Sequence, residues 1–572
     1  MTTRSRRVWS ARHPAAAPAA GSQPDVTVAD PVLVGGRAGV TASDADDPAG
    51  AGTRVLSGAQ PALAEDDVNL QHPTLVRLQN GANVGSAVRK GAAWATGSRV
   101  ASQVVQFLGV VISARLLVPS DYGNTAVIAP LLAFAGLFAN LGMASAVIHA
   151  RRVTEELLST AFWTNALAGV GLTGLLALLA VPLSRLFHNP ELGPLLLLAS
   201  ILFTINLGIV HLSLLERTLR FKTIAFIETG STTLAVIAIV VAASLGAGPY
   251  SLVWGPIVNM TSTTVCLWST VRWRPRARPR VKAMREIWAH SRGVTGYNLL
   301  TFWSRNTDNL LLAGVVSLSA LGNYNRAYTL MKLPIQQMET MMTRVMFPAM
   351  SRLRDDRPRL AKAWLRAITV ASSLTAPVTL GLAVSAPAMV EVLFGQRWLG
   401  MVTVLQLLAV SALPQTLSTT TGGLLRAVGA TDTLFRLSII TSSLTVVAII
   451  SGLPWGIVGV ATALLAISYV EAFICLRQCL RALQLRWRDL RRALLGIWMS
   501  CLGLVATGIG VRLVASSSTP AWHVLIAQVL LCSITYIGVL SLVDRRLVTP
   551  LVLLVRRGVT RVLSRNNAGT RH

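Results

Sequence analysis

The run SRNTDNLLLAGVVSLSALGNYNRAY, residues 304–328, places charged and amide side chains inside a stretch apolar enough to enter a bilayer. Arg305, Asn306, Asp308 and Asn309 lie in its first part. The next apolar segment follows at once and carries Asn325, Arg326, Lys332, Gln336 and Glu339. A charge in the hydrocarbon interior costs at least ~2.5 kcal/mol on insertion scales, so such residues face a cavity or a partner. Around them the chain reads as the scaffold of a polar cavity in a lipid-embedded protein.

Composition agrees. The chain has 572 residues, 52% hydrophobic and only 13% charged, with a mean hydropathy of +0.56. That is too apolar for a soluble globular protein. The net charge of +28 does not indicate nucleic acid, because the basic residues sit between apolar runs and form no surface interleaved with aromatics. The cysteines Cys266, Cys475, Cys479, Cys501 and Cys532 lie in or beside apolar segments, without metal-like pairing to histidine, and read as small packing residues.

Residues 1–85 are rich in Ala, Gly, Pro, Asp and Ser and show no periodicity, so they read as a disordered cytoplasmic tail. Arg6-Arg7 is followed by no apolar run, so no cleaved signal peptide is expected. From Ala92 onward fourteen apolar stretches approach the ~20 residues that cross a bilayer. They run over 92–116, 124–147, 157–183, 191–214, 223–245, 249–271 and 291–315. The rest are 322–346, 366–393, 399–424, 433–451, 455–476, 493–513 and 521–543. Helices alone satisfy their own backbone in lipid, so the expected fold is an all-α polytopic membrane protein of about fourteen spans.

Basic residues are distributed unequally between alternate loops, 35 on one set against Arg185, Arg397 and Arg512 on the other. Cytoplasmic loops carry the excess, so both termini are expected in the cytoplasm. The loops assigned outside are short. WRPRARPRVKAMREIW (273–288) joins the two halves on the inside, and residues past 545 form a basic tail suited to an interfacial helix.

An internal repeat spaced 199 residues apart matches Gly97 to Gly296, Ala114 to Ala313, Ser120 to Ser319, Gly123 to Gly322 and Asn124 to Asn323. Six spans separate the copies, so they share one orientation, as in parallel-repeat transporters with an axis along the membrane normal. The organisation expected is an N-lobe over 86–290 (spans 1–6 and the basic linker) and a C-lobe over 291–480 (spans 7–12). Two extra spans and the basic tail follow over 481–572.

The blocks SRNTDNLLLAG, LGNYNRAYTLMKLPIQQ and RVMFPAMSRLRDD, with the early LLVPSDYGNTAVIAPLLAFAGLFANLGMASAVI, resemble the polysaccharide and lipid-linked oligosaccharide flippases of the multidrug/oligosaccharidyl-lipid/polysaccharide (MOP) superfamily. The resemblance covers roughly 92–480. It implies two six-helix lobes forming a V around a cavity that opens alternately to each side of the bacterial cytoplasmic membrane. It also implies a polyprenyl-pyrophosphate-linked glycan as substrate, with membrane lipid around it. The long N-terminal tail and the last two spans depart from the twelve-span core.

Moving such a lipid means hiding a pyrophosphate and many hydroxyls from hydrocarbon, which fixed cations, amides and hydroxyls can do. Arg99, Ser102, Gln103, Gln106 and Ser113 share one face of span 1. Asn298, Thr301, Arg305, Asp308 and Asn309 do so in span 7, and Asn325, Thr329, Lys332, Gln336, Glu339 and Thr343 in span 8. The candidate cavity residues are therefore Arg99, Gln103, Gln106, Asn298, Arg305, Asn309, Asn325, Lys332 and Gln336. Arg305 and Lys332 fall near the midplane and are the first choice for the pyrophosphate. Asp308, Glu339 and Glu228 are candidates for coupling to H+ or Na+, with Glu391 and Glu471 weaker ones.

The same residues admit other readings. Arg305 and Asp308 could be a self-neutralising pair that eases insertion. The stripes could be interhelical ties, and Arg115 and Arg326 could snorkel to headgroups. No cofactor, metal or nucleic acid is expected, while a glycan polymerase or other export machinery is a possible partner. The competing functions are a multidrug/cation antiporter of the same superfamily, a peptidoglycan lipid-precursor flippase and, as an enzyme, a membrane glycan polymerase or ligase. Span 1 lacks the acidic groups suited to an antiporter, and the outer loops leave no room for a catalytic domain.

Overall fold

In a computed structural model, the described residues are 84–140, 153–279, 308–515 and 518–543, together with Val147, Met284, Phe302 and Asn306. The expected tail over 1–85, Asn298, Arg305, most of the linker after 279 and the C-terminal tail lie outside them.

The described helices follow the apolar stretches closely. In the first half they are α1 (Val84–Leu116), α2 (Pro119–Asn140), α3 (Glu155–Leu186), α4 (Leu192–Ile205), α5 (Ile209–Arg217), α6 (Phe221–Ser244) and α7 (Tyr250–Thr270). The second half has α8 (Leu318–Met341), α9 (Arg357–Leu393), α10 (Val402–Ala427), α11 (Thr431–Gly452), α12 (Gly456–Leu483), α13 (Trp487–Val514) and α14 (Ala521–Val543). No strand occurs among the described residues. Side-chain caps start several of them: Thr154 accepts from the Leu157 N–H, Ser317 from Ala320 and Asp356 from Arg359.

By length and composition seven helices suffice to cross a membrane, or eight when α4 and α5, bent by 46° at their break, count as one span. Polar side chains lower the hydropathy of α1, with Arg99, Gln103 and Gln106, and of α8, with Asn325, Lys332 and Gln336. Prolines such as Pro130, Pro256, Pro334 and Pro414 lie inside helices. Neighbouring helices make such breaks tolerable in lipid. Span 8 stays helical through 346: a π-helical turn over Met342–Met346 joins α8 to a short helix, Phe347–Ser351. Exposed aliphatics such as Leu167, Leu178, Val241, Leu502 and Ile534 suit contact with lipid.

Within the first half α1 packs on α6, α6 on α7 and α3 on α4. In the second half α9 packs on α10, and α11 and α10 on α12. The last pair, α13 and α14, packs against α9, where the Tyr536 hydroxyl donates to the Ser373 carbonyl at 2.9 Å. Cys475, Cys479, Cys501 and Cys532 are buried in these contacts.

The two halves meet along α2 and α8. Gly123 and Gly322 make the approach possible. A Cβ on Gly322 would lie 1.8 Å from the Pro119 carbonyl oxygen, and one on Gly123 would lie 2.0 Å from that of Leu318. The contact is reciprocal in the repeat register, since Pro119 and Leu318 stand 199 residues apart, as do Gly123 and Gly322. Beside it the Trp398 indole N–H donates to the Ala114 carbonyl at 2.9 Å, and Trp398 packs edge-on against Tyr122 at 5.1 Å. Trp398→Phe removes that donor and leaves a small cavity at a fully buried site, so it should cost about 1–3 kcal/mol. A thermal scan in detergent would read this as a small fall in midpoint, whereas Trp398→Ala should cost about 3–5 kcal/mol.

Candidate functional site

Near the α2–α8 contact, two arginines reach across from one half to the other. The Arg326 guanidinium lies 3.9 Å from the centroid of the Tyr122 ring, a cation–π contact between the halves, and its Nε is buried without a hydrogen-bond partner among the described residues. Tyr122 is held in turn by the Ser113 hydroxyl at 2.7 Å. Arg115 reaches the second half and donates to the Leu393 carbonyl at 3.0 Å and to that of Val392. These are last-turn carbonyls of α9, which a cation satisfies well.

Farther along, the polar stretch of the opening sequence folds onto α8. Asp308, 5% exposed, accepts the Tyr324 hydroxyl at 3.2 Å and the Asn309 backbone N–H at 2.8 Å. The Asn325 amide donates to the Asn309 side-chain oxygen at 3.5 Å, a long contact. Tyr324 stacks on Tyr328, and Lys332 sits with its ammonium 4.3 Å from the Tyr328 ring centroid. The structure thus brings together Asp308, Asn309, Asn325 and Lys332, with Tyr324 and Tyr328 between them. Hydrogen bonds of this kind tie helices in lipid by roughly 0.6 kcal/mol each. The tyrosines escaped the sequence reading because aromatic rings at helical spacing look like core.

The N-terminal half holds a separate cavity of about 590 Å³ between α1, α2, α4, α6 and α7. Its wall is largely apolar (Leu132, Leu202, Phe203, Val236, Ile239, Met260), with Gln106, Asn206, Thr232 and Asn259 as polar groups. Gln106 is the expected residue that lines it. Asn206, at the α4–α5 break, and Asn259, one turn after Pro256, are uncharged and carry no motif, so an amide inside an apolar span was their only mark in the sequence. Such a wall can take uncharged hydroxyls or hydrocarbon.

The remaining candidates stand apart. Arg99 and Gln103 are exposed on α1, and among the described residues neither bonds to the Asp308–Lys332 cluster. Gln336 is exposed and Glu339 partly exposed on α8, while Glu228 is exposed on α6. Glu391 accepts from Gln396 at 2.8 Å, and Glu471, partly buried in α12, accepts from the Thr445 hydroxyl at 2.5 Å.

The chain is 26% identical to the lipopolysaccharide biosynthesis protein WzxC of Escherichia coli over 391 residues, covering 67% of this chain and 79% of that one. It is 29% identical to the succinoglycan biosynthesis transport protein ExoT of Rhizobium meliloti over 367 residues, 64% of this chain and 74% of that one. Among solved structures, the lipid II flippase MurJ in an inward closed conformation matches 79% of this chain and 99% of its own, with a TM-score of 0.61 at 16% identity. An inward-facing multidrug resistance transporter of the MATE family in the MOP superfamily matches 67% and 95%, with a TM-score of 0.54 at 16% identity. At these identities the likeness to the solved structures is one of fold. The family described as "Polysaccharide biosynthesis protein" matches residues 112–403, just over half of the chain, and the chain belongs to that family.

Proposed function

We propose that this protein flips polyprenyl-pyrophosphate-linked glycan units from the cytoplasmic to the outer leaflet of a bacterial cytoplasmic membrane, for surface polysaccharide export. The observation that carries this reading is the family match, joined by relatives named for lipopolysaccharide biosynthesis and succinoglycan transport. The fold shared with MurJ supports a transporter rather than a glycan polymerase or ligase.

In this reading the chain has fourteen spans, with α4 and α5 forming the fourth and the stretch around 291–315 the seventh. Two six-span lobes are related by a pseudo-twofold axis along the membrane normal. The reciprocal contact of Gly123 and Gly322 and the matching helix pairings of the two halves support that axis. Both termini lie in the cytoplasm, so the α2–α8 contact closes the outer end, and the lobes part there to release substrate. Arg305 and Lys332 receive the pyrophosphate, helped by Arg99, Gln103, Asn298 and Gln336. The cavity around Gln106 takes neutral parts of the substrate, and Asn309 and Asn325 hold spans 7 and 8 together. Asp308, Glu339 and Glu228 remain the candidates for coupling to H+ or Na+, and a glycan polymerase is the partner expected downstream.

Deleting the gene should leave lipid-linked oligosaccharide in the inner leaflet and reduce one surface glycan, with sensitivity to cationic drugs unchanged. Normal glycans with raised drug sensitivity would instead establish a drug antiporter. The topology is tested by single cysteines in a background lacking the native five. Ser319→Cys should react with an impermeant thiol reagent added outside and Ser351→Cys should not; the reverse pattern overturns the orientation.

A further inference from the structure

The linker after α7 is not a slack connection. In Val271-Arg272-Trp273-Arg274-Pro275-Arg276-Ala277-Arg278-Pro279, Arg274 and Arg278 each precede a proline, which restricts both to extended backbone. The prolines carry no N–H, so neither can start a helix hydrogen bond there. The structure shows the run without helix and fastened to the start of α3. Trp273 is 3% exposed and its indole N–H donates to Glu155 at 3.0 Å. The Arg276 N–H donates to the same carboxylate at 3.2 Å, and the Ala277 N–H to the Ser159 hydroxyl at 3.3 Å. Period-two alternation then turns Trp273 inward and leaves Arg272, Arg274, Arg276 and Arg278 exposed.

The four arginines stand roughly 7 Å apart along an extended strand. Arg274 is held 4.7 Å from the Trp268 ring centroid and donates to the Trp273 carbonyl at 2.8 Å. The side chains of Arg272, Arg276 and Arg278 make no hydrogen bond or ion pair among the described residues. They are exposed where α7 ends and α3 begins, which in the membrane reading is the level at which two spans leave the bilayer. Three fork-shaped donors, Arg272, Arg276 and Arg278, with no acceptor among the described residues and carried on a fastened backbone beside a membrane surface, complement phosphate oxygens.

We propose that this row is a binding site for anionic phospholipid headgroups of the leaflet it faces. Glu155 is its positioning residue and holds the row through the Trp273 indole and the Arg276 N–H. The proposal rests on the membrane reading of the chain and not on the glycan carried. Its orientation toward the cytoplasmic leaflet is a separate matter.

The full-length protein in nanodiscs of phosphatidylcholine and phosphatidylglycerol, analysed by native mass spectrometry, supplies the test. The parent should retain phosphatidylglycerol. The triple variant Arg272→Gln, Arg276→Gln, Arg278→Gln should lose on the order of 100-fold in affinity, about fivefold per arginine, with phosphatidylcholine unchanged. Glu155→Gln, which keeps every arginine, should give an intermediate loss. An unchanged thermal transition shows that each variant is folded. Retention of phosphatidylglycerol by the triple variant would overturn the site. Displacement of phosphatidylglycerol from the parent by farnesyl diphosphate, with no such binding to the triple variant, would reassign the row to the diphosphate of a substrate and overturn the lipid assignment. Both leaflets of the nanodisc carry the same lipids, so the result does not depend on orientation. Labelling of Arg278→Cys from outside intact cells would refute the proposed topology and leave the nanodisc result standing.

Discussion

Gly322→Val should abolish transport while leaving the protein in the membrane at normal amount, and Gly123→Val should do the same. The added Cβ would stand 1.8 Å from the Pro119 carbonyl oxygen in the first case and 2.0 Å from that of Leu318 in the second. The obstacle is backbone on a facing helix, so no rotamer change relieves it and α2 must move away from α8. Overpacking of this kind costs about 1–3 kcal/mol. That shifts a closed–open equilibrium by roughly 5- to 150-fold, toward separation of this end. Ala126 offers the readout. It is 2% exposed and lies on the helix face shared with Tyr122 and Gly123. Ala126→Cys should be protected in the parent and labelled from outside in either valine background. A protected thiol with normal transport would show that this contact does not govern the cycle.

Loss of flipping is also expected for Arg305→Ala, and its interpretation depends on Asp308. If the two charges served insertion alone, neutralising both would restore a normal transporter. The structure decides which double variant to make, because Asp308 accepts the Tyr324 hydroxyl. Asp308→Ala would leave that buried hydroxyl unpaired at a cost of about 1–3 kcal/mol. Asp308→Asn keeps an acceptor for Tyr324. Arg305→Ala with Asp308→Asn should therefore reach the membrane and remain inactive, with flipping down by roughly 10- to 150-fold, the worth of hydrogen bonds to a charged group. Normal flipping by that double variant would refute phosphate binding by Arg305 and leave Lys332 and Arg99 as the cations to test. Arg305→Lys keeps charge without the planar fork, so partial activity is expected.

Much of the architecture was legible before any coordinates. Helix positions followed from apolar runs of bilayer length, because in lipid a segment must satisfy its own backbone and so declares itself locally. The blocks around NTDNLL and NYNRAY carried the family, which the match over 112–403 bears out. The match of Gly123 with Gly322 was visible as two letters 199 residues apart. Polar stripes, however, do not reveal what each residue meets. Asp308 looked like a partner for Arg305 or an ion site, and it accepts from Tyr324. Arg326 looked like a headgroup contact, and it lies on Tyr122.

By itself, then, the sequence determined a helical membrane protein, the positions of its apolar helices, the uneven distribution of its basic residues and its family. Each rests on local hydropathy, charge and residue identity, which a chain carries whatever its neighbours are. The tertiary structure alone decided that the matched glycines face each other across the two halves, and that Arg115 closes the end of α9. It alone gathered Gln106, Asn206, Thr232 and Asn259 around one cavity, and set the linker arginines outward from Trp273. Those outcomes depend on helices from distant parts of the chain coming within a few ångströms. Such packing is set by small residues and shape rather than by any periodicity along the sequence.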